Sequence, residues 1–151
     1  MAWERDVLAA YEHNKARAEA QDRVRTQRTQ LIDERHEREW AALREALTNR
    51  CIELNACAGR TILEQTDRRA LSVRIRREDG HVLHGEYSPK THTVIFSSET
   101  VVYVDDNFEV TVHPVSGADK VVWFHLEKKT YHHAEEISKA VIAKFLRAGF
   151  V

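Results

Sequence analysis

Apolar residues recur along this chain with two different periods, and the change comes near residue 70. No glycine or proline occurs before Gly59 and Pro89 respectively, so residues 1–58 contain neither of the strong helix breakers. They are rich in Ala, Glu, Arg, Gln and Leu, which favour helices. Glu19 with Arg23 and Glu34 with Arg38 stand in the favourable i,i+4 order. One long helix or a helical pair is therefore predicted over 1–58. Val7, Leu8 and Tyr11 begin an apolar stripe that nearly vanishes through "EHNKARAEAQDR", and Val24, Leu31 and Ile32 are sparse. Trp40, Leu43, Leu47, Cys51 and Leu54 then form a ridge at three- and four-residue spacing, which predicts that residues 40–55 pack on the rest of the molecule. The preceding stretch reads as a polar arm. Such an arm is rarely stable alone, so it either pairs with another copy or folds back as a hairpin, and the absence of a turn signal favours pairing.

From Leu71 the period becomes two. Segments 71–77, 81–87, 92–97, 100–105, 108–113 and 120–126 read as strands, separated by "EDG", "SPKT", "SE", "DN" and "PVSGAD", and "RTIL" at 60–63 offers a seventh. A three-residue loop Glu78-Asp79-Gly80, with Gly80 left-handed, pairs Arg77 with His81 and Ile75 with Leu83. Turns at Pro89-Lys90, Ser98-Glu99 and Asp106-Asn107 then pair Tyr87 with His92. They also place Leu71, Val73, Ile75, Leu83, Tyr87, Val94, Phe96, Val101, Tyr103, Val110 and Val112 on one face. The opposite face would carry Val82, Ile95, Val102, Val104 and either Val121 or Trp123. The segment "TYHHAEEISKAVIAKFLRAGF" reads as an amphipathic helix. Thr130 would be its N-cap, Glu135 and Glu136 lie near its start, Lys144 and Arg147 near its end, and Gly149 stops it. Its stripe of Ala134, Ile137, Val141, Ile142, Phe145 and Leu146 should cover the apolar face of the sheet.

The expected fold is thus α+β. A long N-terminal helix (or helical pair) precedes an antiparallel β-meander of six to seven strands, and a C-terminal amphipathic helix packs on the sheet. Residues 1–58 form the arm and 59–151 the sheet domain. Over 60–148 this element order resembles the pleckstrin-homology-like architecture, with no sequence motif behind the likeness; fold alone does not fix function.

Composition narrows the function classes. The chain is 42% hydrophobic and 31% charged with few glycines and prolines, a folded composition, and its net charge of −1 argues against a generally basic nucleic-acid binder. No run is apolar enough to span a membrane, and "MAWERDVLAA" lacks the features of a secretory signal. Cys51 and Cys57, six helical residues apart, stand roughly 9 Å apart along the axis on different faces, unsuited to a disulfide. A cytoplasmic setting is expected, with no cofactor.

Candidate chemistry is thin. "HVLHGEYSPKTH" holds three histidines, but His81 and His84 would point to opposite faces of a strand, and His92 would lie about 20 Å from His81, so no metal site is expected. The register sets Asp105 opposite His92 with Tyr87 on its other side, a carboxylate–imidazole row that could serve as a general base. No nucleophile or oxyanion signature accompanies it, and a self-satisfied polar rim is the simpler reading. Five arginines (Arg68, Arg69, Arg74, Arg76 and Arg77) stand between 68 and 77 without an acid, and beside His84 they could hold a phosphate-bearing ligand or nucleic acid. A solvated outer face with Glu86 as partner is the simpler reading of them. The reading that uses most features is an interaction or assembly protein. It oligomerises through its arm, with a dimer favoured, packs through Trp40, Leu43, Leu47 and Leu54, and docks a protein partner on its sheet. A phosphate-ligand or nucleic-acid binder and a small enzyme follow.

Overall fold

The computed structural model describes residues 2–66, 69–125 and 129–150. The chain is α+β: α1 (Ala2–Ala58), then β1 (Leu63–Gln65), β2 (Ser72–Arg77), β3 (Val82–Ser88), β4 (Thr93–Ser97), β5 (Asp106–Val115), β6 (Ala118–His125) and β7 (Lys129–Tyr131), and finally α2 (Ala134–Arg147). The strands form one antiparallel sheet in sequence order, a pure meander.

The α1 segment is a single 57-residue helix, so the hairpin alternative does not occur. It ends where its sequence first permits a left-handed residue: Gly59 has φ 69° and returns its N–H to Ala56 O. Asn55 then clamps the exit. Its Oδ1 accepts from the N–H groups of Ile62 and Leu63, and its Nδ2 donates to Leu63 O, which seats β1 against the helix end. Only the second half of α1 is buried, through His36, Trp40, Leu43, Ala46, Leu47 and Cys51, with Leu54 packed at the margin. This ridge and the buried side of α2 (Ile137, Val141, Ile142, Phe145) cover the sheet face made by Val73, Ile75, Leu83, Tyr87, Val94, Phe96, Phe108, Val110 and Trp123.

The β2–β3 hairpin has the expected register. Ile75 faces Leu83, Arg77 N–H bonds His81 O, and Gly80 has φ 93°. The β3–β4 register is two residues off: Tyr87 faces Val94, not His92, because the loop between Ser88 and Thr93 holds four residues and His92 itself turns left-handed at φ 56°. A shift of two preserves side-chain parity, so Val94 and Phe96 keep the predicted face.

Residues 100–105 are not a strand, and the turns at Ser98-Glu99 and Asp106-Asn107 do not form. Val101 and Tyr103 still turn inward, and Val102 and Val104 are 88% and 73% exposed, but the segment is a loop. Hydroxyls replace the ladder there: Ser98 Oγ donates to Val82 O, and Thr100 Oγ1 accepts from Val82 N–H. Strand β5 starts earlier and runs further than the expected 108–113, reversing at Ser116-Gly117, whose φ values of 52° and 80° are both left-handed as a two-residue hairpin turn requires. Leu71 lies ahead of β2 and is half exposed, and Trp123 belongs to the core instead of the outer face. Thr130 and Tyr131, expected to open the C-terminal helix, belong to β7 instead. The helix begins at Ala134 behind His133, and Thr130 is paired with Phe124 instead of capping.

Gly85 has a packing role that the pattern did not reveal. It lies on the core side of β3, where a Cβ would come within 2.7 Å of the Phe96 ring and 2.8 Å of Val73. Gly85→Ala should therefore overpack this site and cost about 2 kcal/mol in denaturant unfolding. A variant as stable as the parent would show that Phe96 moves aside freely.

Candidate functional site

Every residue from 2 to 30 of α1 is exposed. This stretch covers roughly 40 Å of helix. Trp3, Val7 and Tyr11 follow one line at four-residue spacing with Leu8 beside it, and they are 73%, 47%, 61% and, for Leu8, 56% exposed. Beyond them only Val24 is both large and apolar before Leu31. The contact between Arg28 and Asp119 of the β5–β6 hairpin, at 3.4 Å with both side chains exposed, marks where the arm meets the sheet.

At that root stands an aromatic and polar cluster. His36 Nδ1 hydrogen-bonds Tyr87 Oη at 2.7 Å, Trp40 stacks on the Tyr87 ring at 5.0 Å, and Trp40 Nε1–H donates to Ala70 O. The His92 ring lies 4.5 Å from that of His36, with its Nε2 3.8 Å from Asp33. The Tyr87–His92–Asp105 row is therefore not assembled. Asp105 is exposed in the 98–105 loop, and the acid nearest His92 comes from the arm. Burial, with help from the Glu37 charge, pushes Tyr87 up to about 12, so it is a hydrogen-bonding group and no base at neutral pH. His36 was missed, although it lies one turn ahead of Trp40 on the same ridge.

A second cluster was also missed. Asp106 accepts from Tyr103 Oη at 2.6 Å and Lys144 Nζ at 3.0 Å, and hydrogen-bonds His125 Nε2 at 2.9 Å. Lys144 also donates to Val104 O and lies over the Tyr103 ring. Burial alone would raise the Asp106 carboxyl, but the hydrogen bonds from Tyr103, Lys144 and His125 outweigh it and hold the group below its usual value. Burial, then the bond to Asp106 and the nearby carboxylate charges, drive Tyr103 strongly upward. A His–Asp pair thus does exist at the sheet end, but its carboxylate is saturated by donors that tie the 98–105 loop to β6 and α2.

The arginine group is dispersed. Arg68 lies outside the described residues. Arg77 is buried and structural: it grips Asp79 with Nε and Nη2, each at 2.7 Å, and its Nη1 donates to Phe145 O and Ala148 O, capping α2. That grip holds Asp79 down at about 2. Arg76 pairs with Glu64 across the surface. Only Arg69, Arg74 and His84 line a common shallow depression, together with Val82 and Glu99. Among the described residues no three His, Cys, Asp or Glu side chains gather as metal ligands, and no helix is long and apolar enough to cross a membrane. Cys51 is buried, which pushes its thiol up to about 11, and Cys57 is exposed on another side of the helix.

The chain matches no protein-family model, no curated protein and no solved structure. Among the described residues, the longest uninterrupted exposed stretch is residues 2–30 of α1.

The lowered carboxyls of Asp79 and Asp106 set an acid limit. Each contributes stability that is present above the ordinary carboxylate range and is lost as pH falls through its lowered folded value, which for Asp79 means between about 4 and 2. Asp106→Ala should cost about 3 kcal/mol at pH 7, because the buried donors of Tyr103 and His125 and the half-buried Lys144 lose their acceptor, and should flatten the acid limb of a stability–pH curve. An unchanged curve would show that the cluster is not coupled to folding.

Proposed function

We propose that this protein is a non-enzymatic assembly protein that self-associates, as a dimer, through its projecting arm while its sheet body carries the partner-binding surface. What supports the reading is a stretch of 29 residues that are all exposed, met by the sheet at Arg28–Asp119, with an apolar line at its outer end. Four large apolar side chains together leave on the order of 500 Å² in water, a patch of the size that on soluble proteins marks an interaction site. A coiled-coil contact between arms would bury it. The body fits the same reading: the face of β2, β3 and β4 away from the helices is open to solvent among the described residues at Arg74, Glu86 and Ile95, with His84 half-buried between them. The likeness of element order to pleckstrin-homology-like modules, and a reduced cytoplasmic setting for the two unpaired thiols, belong to this proposal.

A second reading rests on the depression of Arg69, Arg74 and His84, which has the charge for a phosphate group. Glu99 in the same depression and the diversion of Arg76 and Arg77 to other partners make it the weaker one. Binding of inorganic phosphate or an oligonucleotide that falls steeply with salt would be its signature.

The experiment is a light-scattering mass of the full chain against the triple variant Trp3→Glu, Val7→Glu, Tyr11→Glu. The full chain should run as a dimer and the variant as a monomer whose sheet body stays folded by circular dichroism, since none of the three touches the core. A monomeric full chain, or a dimer indifferent to the substitutions, would overturn the proposal.

A further inference from the structure

We infer that the arms pair antiparallel, with the two-fold axis passing near Asn14, so that the dimer is a spacer presenting two identical sheet bodies at opposite ends. This rests on the assembly reading and adds orientation and register to it.

Charge along the arm is segregated. Between 2 and 12 stand Glu4, Asp6 and Glu12 against Arg5; between 15 and 28 stand Lys15, Arg17, Arg23, Arg25 and Arg28 against Glu19 and Asp22. All are exposed. Parallel pairing would bring like blocks together along their whole length. Antiparallel pairing lays the acidic outer block of each arm along the basic inner block of the other, which is favourable for both blocks at once.

The apolar line points to the same centre. Continued inward at helical spacing, Val7 and Tyr11 are followed by Asn14, Ala18, Gln21 and Arg25. Asn14 is the asparagine on that line, with Gln21 placed to meet Val7 of the other arm, and a lone asparagine in a helical seam fixes register and orientation when it meets its own copy across the axis. Centred there, Tyr11 of one arm lies near the small Ala18 of the other, and Trp3 reaches the level of Arg25, whose alkyl stem and guanidinium suit an aromatic face. Residues 2–26 of the two arms pair with one another in this register, short of the Arg28–Asp119 contact. The segments buried on the sheets, near Leu43, would then stand roughly 90 Å apart along the axis.

The test measures the dipolar distance between spin labels on the full-length Gln27→Cys chain in a Cys57→Ser background. Gln27 faces away from the line and makes no side-chain contact among the described residues. Antiparallel pairing about Asn14 gives about 40 Å between labels, whereas parallel pairing gives under about 25 Å. The short distance in a dimer would overturn the inference and leave the assembly reading standing. A monomer by mass with no dipolar coupling would overturn both. As a second measurement, Glu4→Lys/Asp6→Lys/Glu12→Lys and Arg17→Glu/Arg23→Glu/Arg25→Glu chains should each dimerise at least tenfold more weakly than the parent and recover when mixed one to one. Recovery failing on mixing would count against antiparallel charge matching.

Discussion

The long helix depends on the packing of its second half. A polar helix in water has little to hold it beyond its own backbone bonds, and starting one is the costly step. Here the start is supplied by tertiary structure. Trp40, Leu43, Leu47 and Cys51 are locked against the sheet and α2, so the turns ahead of them only propagate an existing helix through residues that favour it. Nothing in residues 2–30 touches the core, yet their conformation is inherited from it.

The polar clusters serve that arrangement by securing the pieces that have little ladder of their own. Arg77 closes the end of α2 and links it to the β2–β3 loop through Asp79. Asp106 gathers Tyr103, Lys144 and His125, and so stitches an irregular loop to a helix and a strand. His36 and Tyr87 do the same where the arm leaves the sheet. In each case a titratable group that invites a chemical reading is spent on hydrogen bonds within the fold.

Much of the architecture was legible in the sequence because alternation and helical ridges report which way a side chain faces. They report less about what the backbone bonds to. Residues 100–105 alternate as a strand does, with Val101 and Tyr103 in and Val102 and Val104 out, but hydroxyls of Ser98 and Thr100 have replaced the neighbouring strand. The Tyr87–Val94 register slipped by two without disturbing any face, so the core was readable while the supposed His92–Asp105 partnership was not. Groups that meet only through tertiary structure, such as His36 with Tyr87 or Asp106 with Lys144, are separated by 38 residues or more and leave no local signature.

The continuity of α1 also makes it a lever. With its fulcrum at the Trp40–Tyr87 stack and its outer end some 50 Å away, each degree of rocking on the sheet carries Trp3 through nearly 1 Å, by the rise of 1.5 Å per residue. Small tolerances in core packing, harmless within the sheet itself, are magnified into displacements the size of a side chain at the far end. Tight stacking at the fulcrum therefore sets the aim of a surface that it never touches.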